Sequence, residues 1–153
     1  MIIEGTTRIA ASPEQVFEFL ADPTRWSEYD PTLVEATPNE RLTVGATGIV
    51  RIRRMGVTAK STWTTTELEP PVRVTQHTRG MGYELTESVQ LTAVDGGTDM
   101  HVVITLLPTS LGGRAFVAMS RGIVERDLRA RSQRLRALLE REAPAAPRAT
   151  SPL

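Results

Sequence analysis

Hydrophobic positions along the chain change their period twice, and each change marks a different kind of element. In the middle of the chain, apolar residues recur at every second position within runs bounded by turn residues, as in antiparallel strands with one buried face. Turn sequences such as "RGMGY" and "VDGGTD" separate these runs. Together with the alternating amino terminus, the pattern predicts strands near residues 2–10, 32–37, 46–55, 57–68, 72–79, 83–94 and 98–107.

Two short helices are predicted between the first and second strands. In "ASPEQVFEFLADPTRWSEYDP", Ser12 can cap a helix whose first position is Pro13, and apolar residues follow at helical spacing. The sequence "ADP" ends this helix after about two turns. A second short segment, which carries Trp26 and Tyr29, ends at "YDP".

A long carboxy-terminal helix is predicted from Gly112 to about Glu142, where apolar residues fall on one broad stripe. Of the predicted elements, this helix alone is large enough to cover the apolar face of the sheet. We therefore expect an α+β fold, in which a curved antiparallel sheet of seven strands wraps around the final helix. Residues 143–153 offer little to bury, so we expect one domain over residues 1–142 and a disordered tail.

Composition excludes several classes of function. The 18 basic and 18 acidic residues balance, so no overall field favours nucleic acid or an anionic membrane. No apolar run approaches the ~20 residues that span a bilayer, and the amino terminus lacks the pattern of a signal peptide. With no cysteine there is no disulfide or thiolate site. These features predict a cytoplasmic protein without nucleic-acid partners or membrane insertion.

Taken together, these elements resemble the START-like helix-grip (SRPBCC) superfamily, within its polyketide cyclase/dehydrase group. The resemblance rests on the two clipped helices, the corner "ELEPPVR", the hairpin "DGGTDMHVVI" and the long final helix. Proteins similar to this include aromatic polyketide cyclases, lipid and hormone binders and ubiquinone-binding chaperones. The resemblance implies a mostly apolar ligand cavity between the sheet and the final helix, and it leaves the chemistry to be argued from the site.

Strand alternation nominates the polar groups that enter this cavity. If Leu85 and Val89 face inward, then Tyr83 and Glu87 do too. Glu87 is the one acid on that face, so we take Glu87 as the first catalytic candidate and Tyr83 as the second. The alternative is that Glu87 only forms an ion pair with an arginine, and Arg54 shares the inward face of its own strand.

Further ligand-binding candidates come from the same alternation and from the resemblance. Aromatic residues on the strands could stack on a ligand or belong to the hydrophobic core. Trp26 and Tyr29 could gate the mouth of the cavity or hold the short helix to the sheet. Methionines could adapt to a ligand or fill gaps in the packing. The predicted ligand-binding residues are Trp26, Tyr29, Arg54, Met55, Trp63, Gln76, Met81, Leu85, Phe116, Met119 and Ser120.

Several kinds of chemistry are not indicated. The two histidines, His77 and His101, are predicted on the outer face of the sheet, and no motif for a metal, a nucleotide cofactor or a hydroxyl nucleophile is present. Asp127 and Arg131 stand four residues apart in the final helix, where they could simply stabilise that helix or could orient a ligand.

Two functional hypotheses follow. The first is a polyketide cyclase/dehydrase-like enzyme that promotes cyclisation or dehydration of an apolar substrate by positioning it and by one acid/base group. The alternative is a non-catalytic binding or carrier protein for a lipid, quinone or polyketide. Either is expected to work without a cofactor or metal, as a monomer or homodimer.

Overall fold

The computed structural model describes residues 1–54, 56–80 and 82–142 as a curved sheet with three helices and one 3-10 turn. The chain begins with β1 (Ile2–Ile9), α1 (Pro13–Leu20), the 3-10 turn (Pro23–Arg25) and α2 (Trp26–Tyr29). The strands that follow are β2 (Leu33–Thr37), β3 (Thr47–Arg54), β4 (Val57–Glu69), β5 (Arg73–Gly80), β6 (Tyr83–Val94) and β7 (Gly97–Pro108). The last element is α3 (Leu111–Glu142). This architecture confirms the predicted order of elements.

Sheet topology explains why the first two helices are short. The seven strands are all antiparallel and lie in the order β1-β7-β6-β5-β4-β3-β2, so β1 and β2 form opposite edges. The segment between them must therefore cross from one edge of the sheet to the other. Two short helices with a turn between them can follow the curved end of the sheet, where one straight helix would collide with it.

Local chemistry fixes the ends of α1 as predicted. The Ser12 hydroxyl accepts a hydrogen bond from the Gln15 backbone N–H, and the Gln15 side chain accepts one from the Ser12 backbone N–H. This reciprocal pair satisfies two backbone donors that a helix start leaves free. The indole Nε1 of Trp26 then donates to the carbonyl of Leu20 at 3.0 Å, which ties α2 to the end of α1.

The concave face of the sheet packs against α3. Residues at helical spacing on α3 are buried there: Val117, Ser120, Val124, Leu128, Ser132, Leu135 and Leu139. A bulge in β4 between Thr65 and Glu67 contributes to the bend of the sheet, because the extra residue increases local twist. The expected disorder of residues 143–153 lies outside the described residues. None of the helices described is long and apolar enough to cross a membrane.

Candidate functional site

A cavity of about 170 Å³ lies between the concave face of the sheet and α3. Its apolar wall includes Val50, Ile52, Val74, Leu85, Val124 and Leu128. A closed cavity of roughly 150 Å³ holds a benzene molecule, whereas pockets for drug-sized ligands measure ~300–1,000 Å³. The space therefore suits a compound of one or two rings, or part of a longer one. Pro31 and Phe116 line the cavity and are also exposed, so they belong to its rim.

Glu87 lies on the cavity wall, in the middle of β6, where strand alternation predicted it. Its carboxylate accepts a hydrogen bond from Arg131 Nη2 of α3 at 2.5 Å. The side chains of Glu87 and Arg131 are 21% and 24% exposed, so the pair is mostly removed from water. The acid thus enters the cavity together with its counter-charge.

Arg131 also faces the end of α2. Its Nη1 lies 3.9 Å from Asp30 Oδ2, and Asp30 Oδ1 accepts hydrogen bonds from the backbone N–H and hydroxyl of Thr32. Burial by itself lowers the pKa of Arg131, but the charges of Glu87 and Asp30 and the hydrogen bond to Glu87 raise that pKa above its ordinary value. Arg131 is therefore a fixed positive charge that links β6, α2 and α3.

A second ion pair occupies the same wall. Arg54 Nη2, at the end of β3, lies 2.9 Å from Asp127 Oδ2. That oxygen accepts no hydrogen bond from any described residue, so the contact is an ion pair without hydrogen-bond geometry. The alternative that Glu87 forms an ion pair with an arginine therefore holds, but the partner is Arg131 and not the candidate Arg54, which pairs with Asp127. The pair that Asp127 and Arg131 could have formed within the helix is replaced by these contacts to the sheet.

Three aromatic residues form one side of the cavity. The Trp26 and Trp63 rings meet edge to face with centroids 5.5 Å apart, and Tyr29 lies near them in α2. All three are buried, as expected if α2 is held to the sheet by these rings. Burial raises the pKa of the Tyr29 phenol far above its ordinary value of 10.0, although the nearby charge of Arg131 acts in the opposite direction. The phenol therefore stays protonated at neutral pH and can donate a hydrogen bond.

A stacked aromatic pair lies at the rim. Tyr83 and Phe116 have centroids 5.1 Å apart and planes inclined by 16°, and both line the cavity. Phe116 is 40% exposed. The stack joins the start of β6 to the first turns of α3, so it covers one approach to the cavity.

Most of the predicted site residues meet at this cavity, and two do not. The residues that line it are Trp26, Tyr29, Arg54, Trp63, Gln76, Tyr83, Leu85, Glu87 and Phe116. Met119 is 80% exposed on the outer side of α3, and the buried Ser120 hydroxyl donates to the carbonyl of Val117, so neither lines the cavity. The predictions for Met55 and Met81 fall outside the described residues.

The histidines lie on the outer face, as predicted. His77 Nδ1 contacts the hydroxyl of Thr86, and His101 Nδ1 contacts the hydroxyl of Thr6. In the part of the chain that the structure describes, no cluster of histidine and acidic residues is arranged to hold a metal.

The sequence does not predict the contacts of Arg131 with Glu87 and Asp30, since it indicates Arg131 only as a partner of Asp127 within the helix or as a group that orients a ligand. Arg131 shares the helical stripe of Val124, Leu128 and Leu135, since it lies seven, three and four residues from them. A charged residue on an otherwise apolar stripe was the available signal. Asp30 was noted only as the residue that ends α2.

The fold and the cavity define a helix-grip protein that binds a small ligand between a curved sheet and its last helix. The chain belongs to the family described as polyketide cyclase / dehydrase and lipid transport, whose sequence pattern matches residues 2–140. This match confirms the resemblance inferred from the sequence. No curated protein matches the sequence significantly.

Solved structures agree on the fold. The Zhui aromatase/cyclase from Streptomyces sp. R1128 superposes with a TM-score of 0.82 at 17% identity, covering 96% of this chain and 98% of its own. A protein from Chromobacterium violaceum gives 0.77 at 18% identity, with 91% and 96% coverage. A protein from Thermus thermophilus gives 0.72 at 15% identity, with 90% and 99% coverage. At these identities the likeness establishes the fold and not the reaction.

Proposed function

We propose that the protein is a cyclase/dehydrase-like enzyme that binds an apolar, polyketide-like molecule in the cavity and moves one proton on it. The observation that carries this proposal is the Glu87–Arg131 pair on the wall of an otherwise largely apolar cavity. A carboxylate can accept the proton that is abstracted next to a carbonyl, and a guanidinium can stabilise the negative charge that develops on the carbonyl oxygen.

The two groups have different tasks in this proposal. Glu87 accepts the proton from the carbon next to a carbonyl group, and Arg131 and the Tyr29 phenol offer hydrogen-bond donors to the oxygen on which negative charge develops. In a dehydration, Glu87 then returns the proton to the departing hydroxyl group, which leaves as water. In a cyclisation, the carbanion instead attacks a second carbonyl carbon of the same folded molecule, and the alkoxide that forms there takes the proton back from Glu87.

The shape of the cavity supplies the remaining part of the rate enhancement in this proposal. Holding a flexible chain in a reactive conformation can lower a barrier by ~7–11 kcal/mol, so a site with one acid/base group suffices. Because the cavity measures about 170 Å³, only the reacting ring would be enclosed. The rest of a longer chain would leave past Pro31 and Phe116 at the rim.

The test begins with native mass spectrometry of freshly purified protein, which identifies any retained compound by mass. With that compound as substrate, Glu87→Gln keeps the side-chain volume and removes the proton acceptor, so turnover should fall ~10²–10⁴-fold. The matched control is Glu84→Gln, on the outer face of the same strand, where the carboxylate pairs with Arg79. That variant should turn over at the wild-type rate. Equal rates in the Glu87 and Glu84 variants would contradict the proposed role of Glu87.

A carrier function is the second candidate, and one contact favours it. The Glu87 carboxylate already accepts a hydrogen bond from Arg131 at 2.5 Å, so it has a structural partner and a role in the fold without any catalysis. If wild type and Glu87→Gln both retain the compound unchanged over a long incubation, the protein binds without catalysis. The sequence-based prediction of a cytoplasmic location fits either function.

A further inference from the structure

Three hydrogen-bond donors on the cavity wall have no acceptor among the described residues, and one of them, Arg54 Nε, belongs to the guanidinium group that faces Asp127. The other two, the indole Nε1 of Trp63 and the amide Nε2 of Gln76, are both buried and unpaired, and both residues line the cavity. Trp63 is only 2% exposed, so its N–H is not solvated. The indole of Trp26 differs, because it donates to a backbone carbonyl. A buried donor without an acceptor is costly, so a ligand that supplies an acceptor gains affinity.

The two donors lie close enough to share one ligand group. Trp63 on β4 is directly opposite Thr78 on β5, and Gln76 lies two residues from Thr78 on the same face. Such diagonal neighbours are about 7–8 Å apart between backbones, a span that aromatic and long side chains bridge. Gln76 is also directly opposite Glu87 on β6. An oxygen held by Gln76 therefore lies near Glu87, and in the proposed reaction it is a ligand oxygen other than the one that Arg131 and the Tyr29 phenol stabilise.

The net charge of the cavity wall favours some ligands with such an oxygen over others. The charged residues lining the cavity are Asp30, Glu87, Asp127, Arg54 and Arg131. Three acids against two arginines leave one formal negative charge on this wall. A carboxylate ligand would add a second negative charge in a partly desolvated space, which is unfavourable. A neutral carbonyl group offers the same acceptor lone pairs without that cost.

We infer that the cavity selects a neutral compound of one or two rings bearing a ketone-type carbonyl, and that Gln76 and Trp63 hold the carbonyl oxygen. The size follows from the cavity volume of about 170 Å³. The inference rests on the proposed ligand-binding function and adds to it the charge state, the size and the two residues that determine specificity.

Three probes of similar size test the inference: acetophenone, ethylbenzene and benzoate. They share one ring and differ in carrying a neutral carbonyl, no polar group or a carboxylate. Isothermal titration should show acetophenone binding more tightly than the other two. Gln76→Met, which keeps the length of the side chain, should weaken acetophenone binding about 2–10-fold and should not weaken ethylbenzene binding. The matched control, Gln90→Met on the exposed face of β6, should change neither.

The role of Trp63 is tested without a substitution, because its ring packs against Trp26 and replacing it would disturb that contact. In ¹⁵N-labelled protein, the indole N–H of Trp63 should shift downfield when acetophenone binds, because a hydrogen bond forms there. The indole of Trp26 serves as an internal control, since its hydrogen bond to Leu20 is already formed. Ethylbenzene should not produce the downfield shift of Trp63.

The outcomes separate this inference from the proposed function. Equal affinity for acetophenone and ethylbenzene, with no effect of Gln76→Met, would overturn the inference and leave binding of apolar compounds intact. Tighter binding of benzoate would overturn the selection for a neutral ligand. Failure of all three probes to bind would overturn this inference, and the proposed function would then be decided by the compound retained in native mass spectrometry.

Discussion

Replacing Arg131 by methionine removes a positive charge that faces two acids and keeps much of the side-chain volume. Glu87 loses a 2.5 Å hydrogen bond and Asp30 loses a charge 3.9 Å away. Removing one partner of a buried ion pair typically costs ~3–5 kcal/mol, because the other charge is left uncompensated. The pair is partly accessible to solvent, since the Glu87 side chain is 21% exposed. We therefore expect the low end, about 3 kcal/mol.

Denaturant unfolding at neutral pH measures this loss, and two variants isolate its cause. Arg134→Met removes an exposed arginine from the same helix and should change the free energy of unfolding by no more than ~0.5 kcal/mol. Arg131→Met should also cost less in a Glu87→Gln background, with a coupling of ~1–3 kcal/mol, because the glutamine leaves one less charge uncompensated.

A loss below ~1 kcal/mol, or one that is equal whether position 87 carries the native glutamate or the Glu87→Gln substitution, would refute the assigned role of the ion pair.

Two further predictions concern the aromatic residues. Burial raises the pKa of Tyr29, so the contribution of its protonated phenol to the free energy of unfolding is complete below the unfolded pKa of 10.0 and is lost as the pH rises above that value. Tyr29→Phe should reduce the loss of stability at alkaline pH, as measured by denaturant unfolding. An equal loss in wild type and variant would contradict this prediction. Phe116→Ala removes the ring stacked on Tyr83 at the rim, so a ligand retained by wild type should dissociate ~2–10-fold faster in stopped-flow experiments, and an unchanged rate would show that the stack does not limit exit.

Strand alternation was a reliable guide to which face a residue occupies. The period of two is fixed by backbone geometry, so one buried neighbour decides the orientation of the next inward residue. Glu87 and Gln76 were placed on the cavity wall by this argument alone. The outward positions of His77 and His101 followed from the same rule.

Helical phase was available in the sequence but was not used for Met119. At about 100° per residue, Met119 lies roughly 200° around α3 from Val117, which is buried against the sheet. Its exposed position therefore follows from the helical period. The adaptability of a methionine side chain does not place it at the cavity, because residue type says nothing about which side of the helix a residue occupies.

Neither the period of the strands nor that of the helix predicts which residue pairs with Glu87. Alternation fixes the face of β6, and helical phase fixes the face of α3, but neither sets how far the helix is shifted along the sheet. That shift decides whether Glu87 lies opposite Arg131 or Asp127, which are one helical turn apart. A shift by one turn would bring the like charges of Glu87 and Asp127 together and would separate Arg54 and Arg131 from their present acidic partners. The two ion pairs, Glu87–Arg131 and Arg54–Asp127, therefore favour a single position of α3 against the sheet, and the same position builds the polar wall of the cavity.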